Sequence, residues 1–232
     1  MKKVIVLLFF TGIILSALSA QKTKRYTIMP GENIIEVVSQ SELYEYPQFE
    51  KGAVYFKDGA KSSVRLNYHI VYEEIHFIDP KGDTLSVINP AEISSIVIGK
   101  DQFYYEGKRY VKLDTVIGEV KLAAAKFFTA VKKQKVGAYG NTTDGAAESI
   151  NSYVTLNNAK LELTPQSVTT IAQQNVLFLG NRFNLFLPVT KKNIFLVYNK
   201  KESQLKQYLQ KANLDYSSRQ DIINLILFMN TQ

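Results

Sequence analysis

The sequence has 232 residues, no cysteine, no tryptophan, 46% apolar residues and a formal charge of +7. The absent cysteine excludes a disulfide framework, a thiol nucleophile, a cysteine-bound metal and a lipid anchor on a cysteine after a leader. The apolar content excludes a wholly disordered chain, and the mild basic excess suits either simple solubility or contact with anionic envelope polymers and lipid head groups.

Residues 1–20 have the three parts of a secretory signal peptide. Lys2 and Lys3 are followed by an apolar run from Val4 to Leu15, broken only by Thr11 and Gly12, and by the small-residue stretch Ser16-Ala17-Leu18-Ser19-Ala20. Cleavage after Ser19 and cleavage after Ala20 both stay open. An uncleaved anchor is the competing reading, but a spanning helix takes about 20 apolar residues and this run is shorter. The expectation is an exported protein whose working part is the remaining 212 residues, at +5 once the two leader lysines leave. Nucleic acid is not expected as a partner at that destination. No later stretch has the length and apolarity to span a membrane, and helical patterning near the C-terminus argues against an outer-membrane barrel.

Residues 21–49 read as an irregular N-terminal segment, with one short strand at Tyr26-Thr27-Ile28 closed by Pro30-Gly31. Residues 50–140 read as an antiparallel β domain. Ala53–Lys57 leads into the hairpin pair Asp58-Gly59, where glycine accepts positive φ. Ser62–Asn67 returns, with Val64 and Leu66 on one face. Ile75–Ile78, the turn cluster Asp79–Asp83, and Thr84–Ile88 follow. Asn89-Pro90-Ala91-Glu92 predicts one helical turn with Asn89 as cap. Ser95–Ile98 and a hairpin of Gln102–Tyr105 with Arg109–Leu113 complete the pattern. Residues 116–136 carry two patterns at once. Val120, Ala123, Ala124, Phe127, Phe128 and Val131 recur at helical spacing, whereas Val116-Ile117 and Lys135-Val136 look extended; the reading favours extended structure. As a strand, its lysines (Lys121, Lys126, Lys132, Lys133, Lys135) would guard an edge; as a helix, they would face an anionic membrane.

The stretch 141–152, rich in small and polar residues, reads as a loop or linker and as the domain boundary. Residues 153–232 read as a smaller α+β part. Strands are expected at Val154–Leu163, Asn175–Leu179 and Phe183–Leu187. Thr190 caps a first helix, a second runs over Glu202–Lys211, and Ser217 or Ser218 caps a last one with the stripe Ile222, Ile223, Ile226 and Leu227. The fold class is therefore α+β: an antiparallel β meander or roll, then a small α+β part ending in a helical hairpin.

Two regions carry a resemblance. One is Gly52–Gly59 with Phe77–Leu85 and Ile96–Gly99; the other is Lys191–Leu227. Together they resemble an uncharacterised family of exported proteins from bacteria of the Bacteroidota type. These motifs are turns and core strands, so the resemblance implies a fold and a place, the periplasm or the inner side of an outer membrane, and no catalytic residue.

Candidate chemistry is sparse. The two histidines, His69 and His76, are an odd number of residues apart, so on one continuous strand they point to opposite faces; a shared metal would need a turn or bulge between them. Asp79 and Asp83 flank a tight turn that explains both. No serine-hydrolase elbow, phosphate loop or dinucleotide fingerprint is present. Neither a cofactor nor a metal is expected. Tyr68, Tyr72, Tyr104, Tyr105 and Tyr110 cluster in the β region and are the candidate binding surface, against the plainer reading of cross-strand packing. The leading expectation is a non-catalytic envelope module that binds a protein partner or an anionic envelope component, with peripheral membrane contact allowed. A hydrolase acting on an envelope polymer, and a carrier of lipid or a small ligand, are the alternatives.

Overall fold

The computed structural model describes residues 24–136, 142–144 and 163–231. The leader, most of the 141–152 loop and the strand expected over Val154–Leu163, apart from its last residue, lie outside the described residues.

The N-terminal segment holds β1 (Arg25–Ile28) and two single helical turns, α1 (Ile34–Val37) and α2 (Gln40–Leu43). The β-branched run Ile34–Val38 is thus helical for one turn only. Asn33 Oδ1 accepts the Ile35 N–H at 3.0 Å, and Val38 is already extended. The β region then forms β2 (Glu50–Phe56), β3 (Lys61–His69), β4 (Glu74–Ile78), β5 (Thr84–Ser86), β6 (Ile93–Ile98), β7 (Asp101–Tyr105) and β8 (Tyr110–Ile117). All neighbours are antiparallel, but the order is not a plain meander. From edge strand β5 the chain passes through a 3-10 turn, Pro90–Glu92, and returns to lay β6 against β2. Asn89 precedes that turn in the left-handed region (φ 52°) and makes no side-chain cap, so its expected role is filled by backbone conformation instead.

Residues 120–136 form one long strand, β9 (Val120–Val136). Alternation decides it: Ala123 and Ala125 are buried on one face, Leu122 on the other. β9 pairs along its length with β11 (Val168–Gly180), with a bulge at Thr170/Ile171. Its other side meets β8 up to Ala124 and β10 (Thr142–Asp144) from Gln134 onward. β1 pairs with the outer side of β11, and β12 (Phe186–Pro188) closes a short hairpin on its end. The division expected at 141–152 is therefore not a break in the sheet: strands from both sides of it are hydrogen-bonded in one twelve-stranded sheet.

That sheet is rolled. β3 and β9 are five steps apart in the strand order, about 24 Å if the sheet were flat. Yet Tyr68 on β3 donates its hydroxyl to the Lys126 carbonyl on β9 at 2.9 Å. Leu66, Tyr68 and Ile75 also share one core with Phe128, Ala130 and Ile171. The concave face is thus closed on itself at one end. At the other end it is covered by α3 (Lys191–Val197), α4 (Glu202–Lys211) and α5 (Arg219–Asn230), whose Ile194, Leu205, Ile222 and Met229 pack on Leu122, Leu177 and Leu179. Thr190 and Ser218 cap α3 and α5 through the Asn193 and Asp221 N–H groups. The buried stripe of α5 is Ile222, Leu225, Ile226 and Met229; Leu227, expected inside, is 47% exposed because it lies one residue past the i+3/i+4 row. Among the described residues no helix is long and apolar enough to cross a membrane.

Candidate functional site

The roll distributes the five tyrosines over three places. Alternation along β7 and β8 and their paired register send Phe103, Tyr105, Tyr110 and Lys112 to the concave side, Tyr104 and Val111 to the convex side. Tyr68 and Tyr110 are buried and line an interior cleft. Tyr72 stacks on His69. Tyr104 and Tyr105 line a groove at the rim of the sheet.

The rim groove encloses about 1060 Å³ between the turn that follows β5 and the hairpin tip joining β11 to β12. Ile88, Phe183 and Leu185 face it and are 74%, 67% and 67% exposed. A second hollow of about 500 Å³ continues behind the tip, bordered by Leu187, Leu196 and Glu106. Tyr104 packs its ring on Phe186 at 5.2 Å, and Gly180 leaves room for that phenylalanine: a Cβ there would sit 2.4 Å from its ring. The tip backbone is locked. Asn181 Oδ1 accepts the N–H groups of Phe183 (2.9 Å) and Leu185 (3.1 Å), and Asn184 takes a left-handed conformation. The sequence reading overlooked Ile88, Phe183 and Leu185. The strand expected over Phe183–Leu187 begins only at Phe186, and Phe183 and Leu185 lie in the locked turn before it; the available signal was the apolar alternation Phe183, Leu185, Leu187.

The interior cleft, about 410 Å³, lies between the sheet and the start of α5. Its centre is Glu45, a half-buried residue whose side chain is 8% exposed, with Lys112 Nζ and Lys126 Nζ each 2.5 Å from one carboxylate oxygen. Tyr44 forms a bridge with His69, so the next residue, Glu45, turns to the concave side. Asp101 accepts the Tyr46 hydroxyl at 2.7 Å, and Asp114 takes Arg219 in a forked pair at 2.7 and 3.1 Å. Burial would lower the Lys112 ammonium, but the Glu45 carboxylate outweighs it and raises the group. All three carboxylates here are bound by a cation or a hydroxyl.

The histidines meet after all. β3 ends at His69 and β4 begins at Glu74, so a turn lies between them. The register sets Asn67 opposite His76 and Glu74 opposite His69. The rings come within 4.9 Å on one face, where the single-strand argument separated them. His69 Nδ1 accepts the Tyr72 N–H at 3.1 Å, and burial, helped by the neighbouring His76, pushes its pKa down to about 3, so the ring is neutral. His76 Nδ1 contacts the Tyr44 hydroxyl at 3.0 Å, and its Nε2 lies 3.5 Å from Glu74, too far for a good hydrogen bond. Burial works to raise the Glu74 carboxyl, but His76 and the Ser86 hydroxyl at 2.6 Å hold it below the usual range. Next to it, Glu73 sits in a left-handed turn position (φ 55°), paired with Arg109 at 3.2 Å; burial pushes it up to about 7 against that cation. Among the described residues no group of three or more histidines and acids is placed to hold a metal ion.

Comparison with protein-family models, with curated proteins and with solved structures finds no match to this chain. What the fold and the site define is a class: a rolled antiparallel sheet, helix-covered at one end, with an open groove on its rim where large apolar side chains are exposed.

Proposed function

We propose that the protein is an exported, non-catalytic binding or assembly module of the cell envelope. It works in the periplasm or on the inner side of an outer membrane and docks through the rim groove. The observation that carries this reading is large apolar surface held in water: Ile88, Phe183 and Leu185 stand exposed around Tyr104 and Tyr105. The signal-like N-terminus and the resemblance to exported proteins support the location. A photo-cross-linking residue at Phe183, in protein expressed in its own envelope and read by mass spectrometry after affinity purification, tests it. A stoichiometric adduct is expected there and none from the same probe at exposed Glu32. No adduct at Phe183 overturns the reading.

A hydrolase acting on an envelope polymer has one observation in its favour, the carboxylates Glu45, Asp101 and Asp114 around the interior cleft. Each is tied down by a cation or a hydroxyl, whereas a general acid or base must be free to exchange its proton with substrate. Glu45→Gln is expected to leave the cellular role intact. The carrier alternative needs an enclosed apolar cavity, and this cleft is lined by charge.

A further inference from the structure

We propose that the face made by the Asn181–Leu187 tip and α3 docks on an anionic lipid surface. The proposal rests on the binding-module reading and names its partner. Three observations converge on it.

The first is shape. Phe183 and Leu185 project from a tip whose backbone is fixed by Asn181, with Asn184 N–H also bonded to the Asn181 carbonyl at 3.1 Å. The apolar side chains are therefore presented in advance, and little ordering is left for the moment of contact. Leu187 and Leu196, 37% and 55% exposed, extend the same apolar surface along the hollow behind the tip.

The second is charge. From Gly180 to Lys201 the chain has five basic residues, Arg182, Lys191, Lys192, Lys200 and Lys201, and no acid. Lys201 is turned inward onto the Met229 carbonyl. The other four are exposed. Lys192 and Leu196 lie four residues apart on α3, so cation and apolar side chain share one face. Arg182 lies over the Phe183 ring at 4.8 Å. The acids nearby are Glu119, an exposed and loose partner of Arg182 at 3.6 Å, Glu106 and Glu92 at the walls of the groove, and Glu202 just past Lys201, which is paired with Lys206.

The third is the combination. Protein interfaces are depleted in lysine, whereas peripheral membrane contact joins a shallow apolar insertion to a surrounding set of lysines and arginines. Arg182 beside Phe183 and Lys192 beside Leu196 put a cation next to each apolar group, which gives reversible docking on an anionic surface without a spanning helix.

The test is co-sedimentation of the purified protein with phosphatidylcholine vesicles, with and without phosphatidylglycerol. Binding is expected only to the anionic vesicles, and added salt weakens it. Phe183→Ser with Leu185→Ser should lower partitioning about tenfold or more. Lys192→Glu should lower it by about fivefold or more, the ~1 kcal/mol of one basic residue. The chain has no tryptophan, so Phe183→Trp supplies a single indole whose emission should shift to the blue on vesicle addition. Protein left in the supernatant at low salt, or a serine double variant that sediments like the parent, overturns the proposal. If the lipid test fails while a probe at Phe183 still traps one protein, the module reading stands and its partner is a protein. If neither binds, both readings fall.

Discussion

The interior cleft and the rim groove handle their side chains in opposite ways. The cleft is full of charge, and its carboxylates are held: Glu45 between Lys112 and Lys126, Asp101 on Tyr46, Asp114 on Arg219. The groove is mixed, with Lys57, Glu92, Glu106 and Lys108 on its walls, but its large apolar residues Ile88, Phe183 and Leu185 rest in water. A buried charge must be matched inside the protein or the fold loses several kcal/mol, so matched charge in a cleft is what folding alone requires. Nothing in folding requires a locked turn to hold a phenylalanine and a leucine in solvent. Unmet apolar surface is therefore the better mark of function in this molecule.

The contrast can be broken or sharpened by measurement. The largest effect is expected at the packed histidine pair, which belongs with the interior. The folded-state pKa of His69 is depressed from 6.5 to about 3. Its stabilising contribution is thus present above pH 6.5 and lost as pH falls toward 3. Urea titrations across that range should show the parent losing about 3 kcal/mol more than His69→Gln near pH 4. Glu73 has the opposite sign. Raised from 4.5 to about 7, it contributes below pH 4.5 and loses that contribution as pH rises to 7, and Glu73→Gln should remove this slope.

Glu45→Ala comes next. It leaves two ammonium groups facing each other across the cleft and should cost about 2 kcal/mol in chemical denaturation. That is less than a fully buried pair would cost, because the lysine side chains are 35% and 37% exposed. The smallest stability effect is expected at the rim: Phe183→Ser should stay within about 0.5 kcal/mol of the parent while docking is lost. A large loss of stability at Phe183 would erase the distinction between the two regions.

Much of the strand pattern was legible along the chain. Asp58-Gly59, Asp79–Asp83 and Glu106-Gly107 punctuate alternating runs, and Thr190 and Ser218 mark helix starts, because turns and caps are chosen by local backbone chemistry. Residues 120–136 were less so, since small alanines satisfy helical and extended spacing alike until a partner strand selects one. The candidate site was barely legible. The five tyrosines come from β3, the turn after it, β7 and β8, and they divide among groove, cleft and histidine pair by strand order and by alternation, which sends Tyr104 and Tyr105 to opposite faces of β7. Phe183 and Leu185 were legible only as part of a returning strand, since an apolar alternation does not say which of its faces meets water.

By itself, then, the sequence determined the β-rich α+β class, the positions of the turns and the capped helical end, all of them set within a few residues of chain. Only the tertiary structure decided the rest. Rolling of the sheet carried Tyr68 to the backbone of β9, the turn after His69 folded His76 back beside it, and pairing of β9 with β11 joined two halves into one sheet. Each of these depends on residues far apart in sequence, and their meeting is fixed by strand order and curvature, which no local pattern encodes.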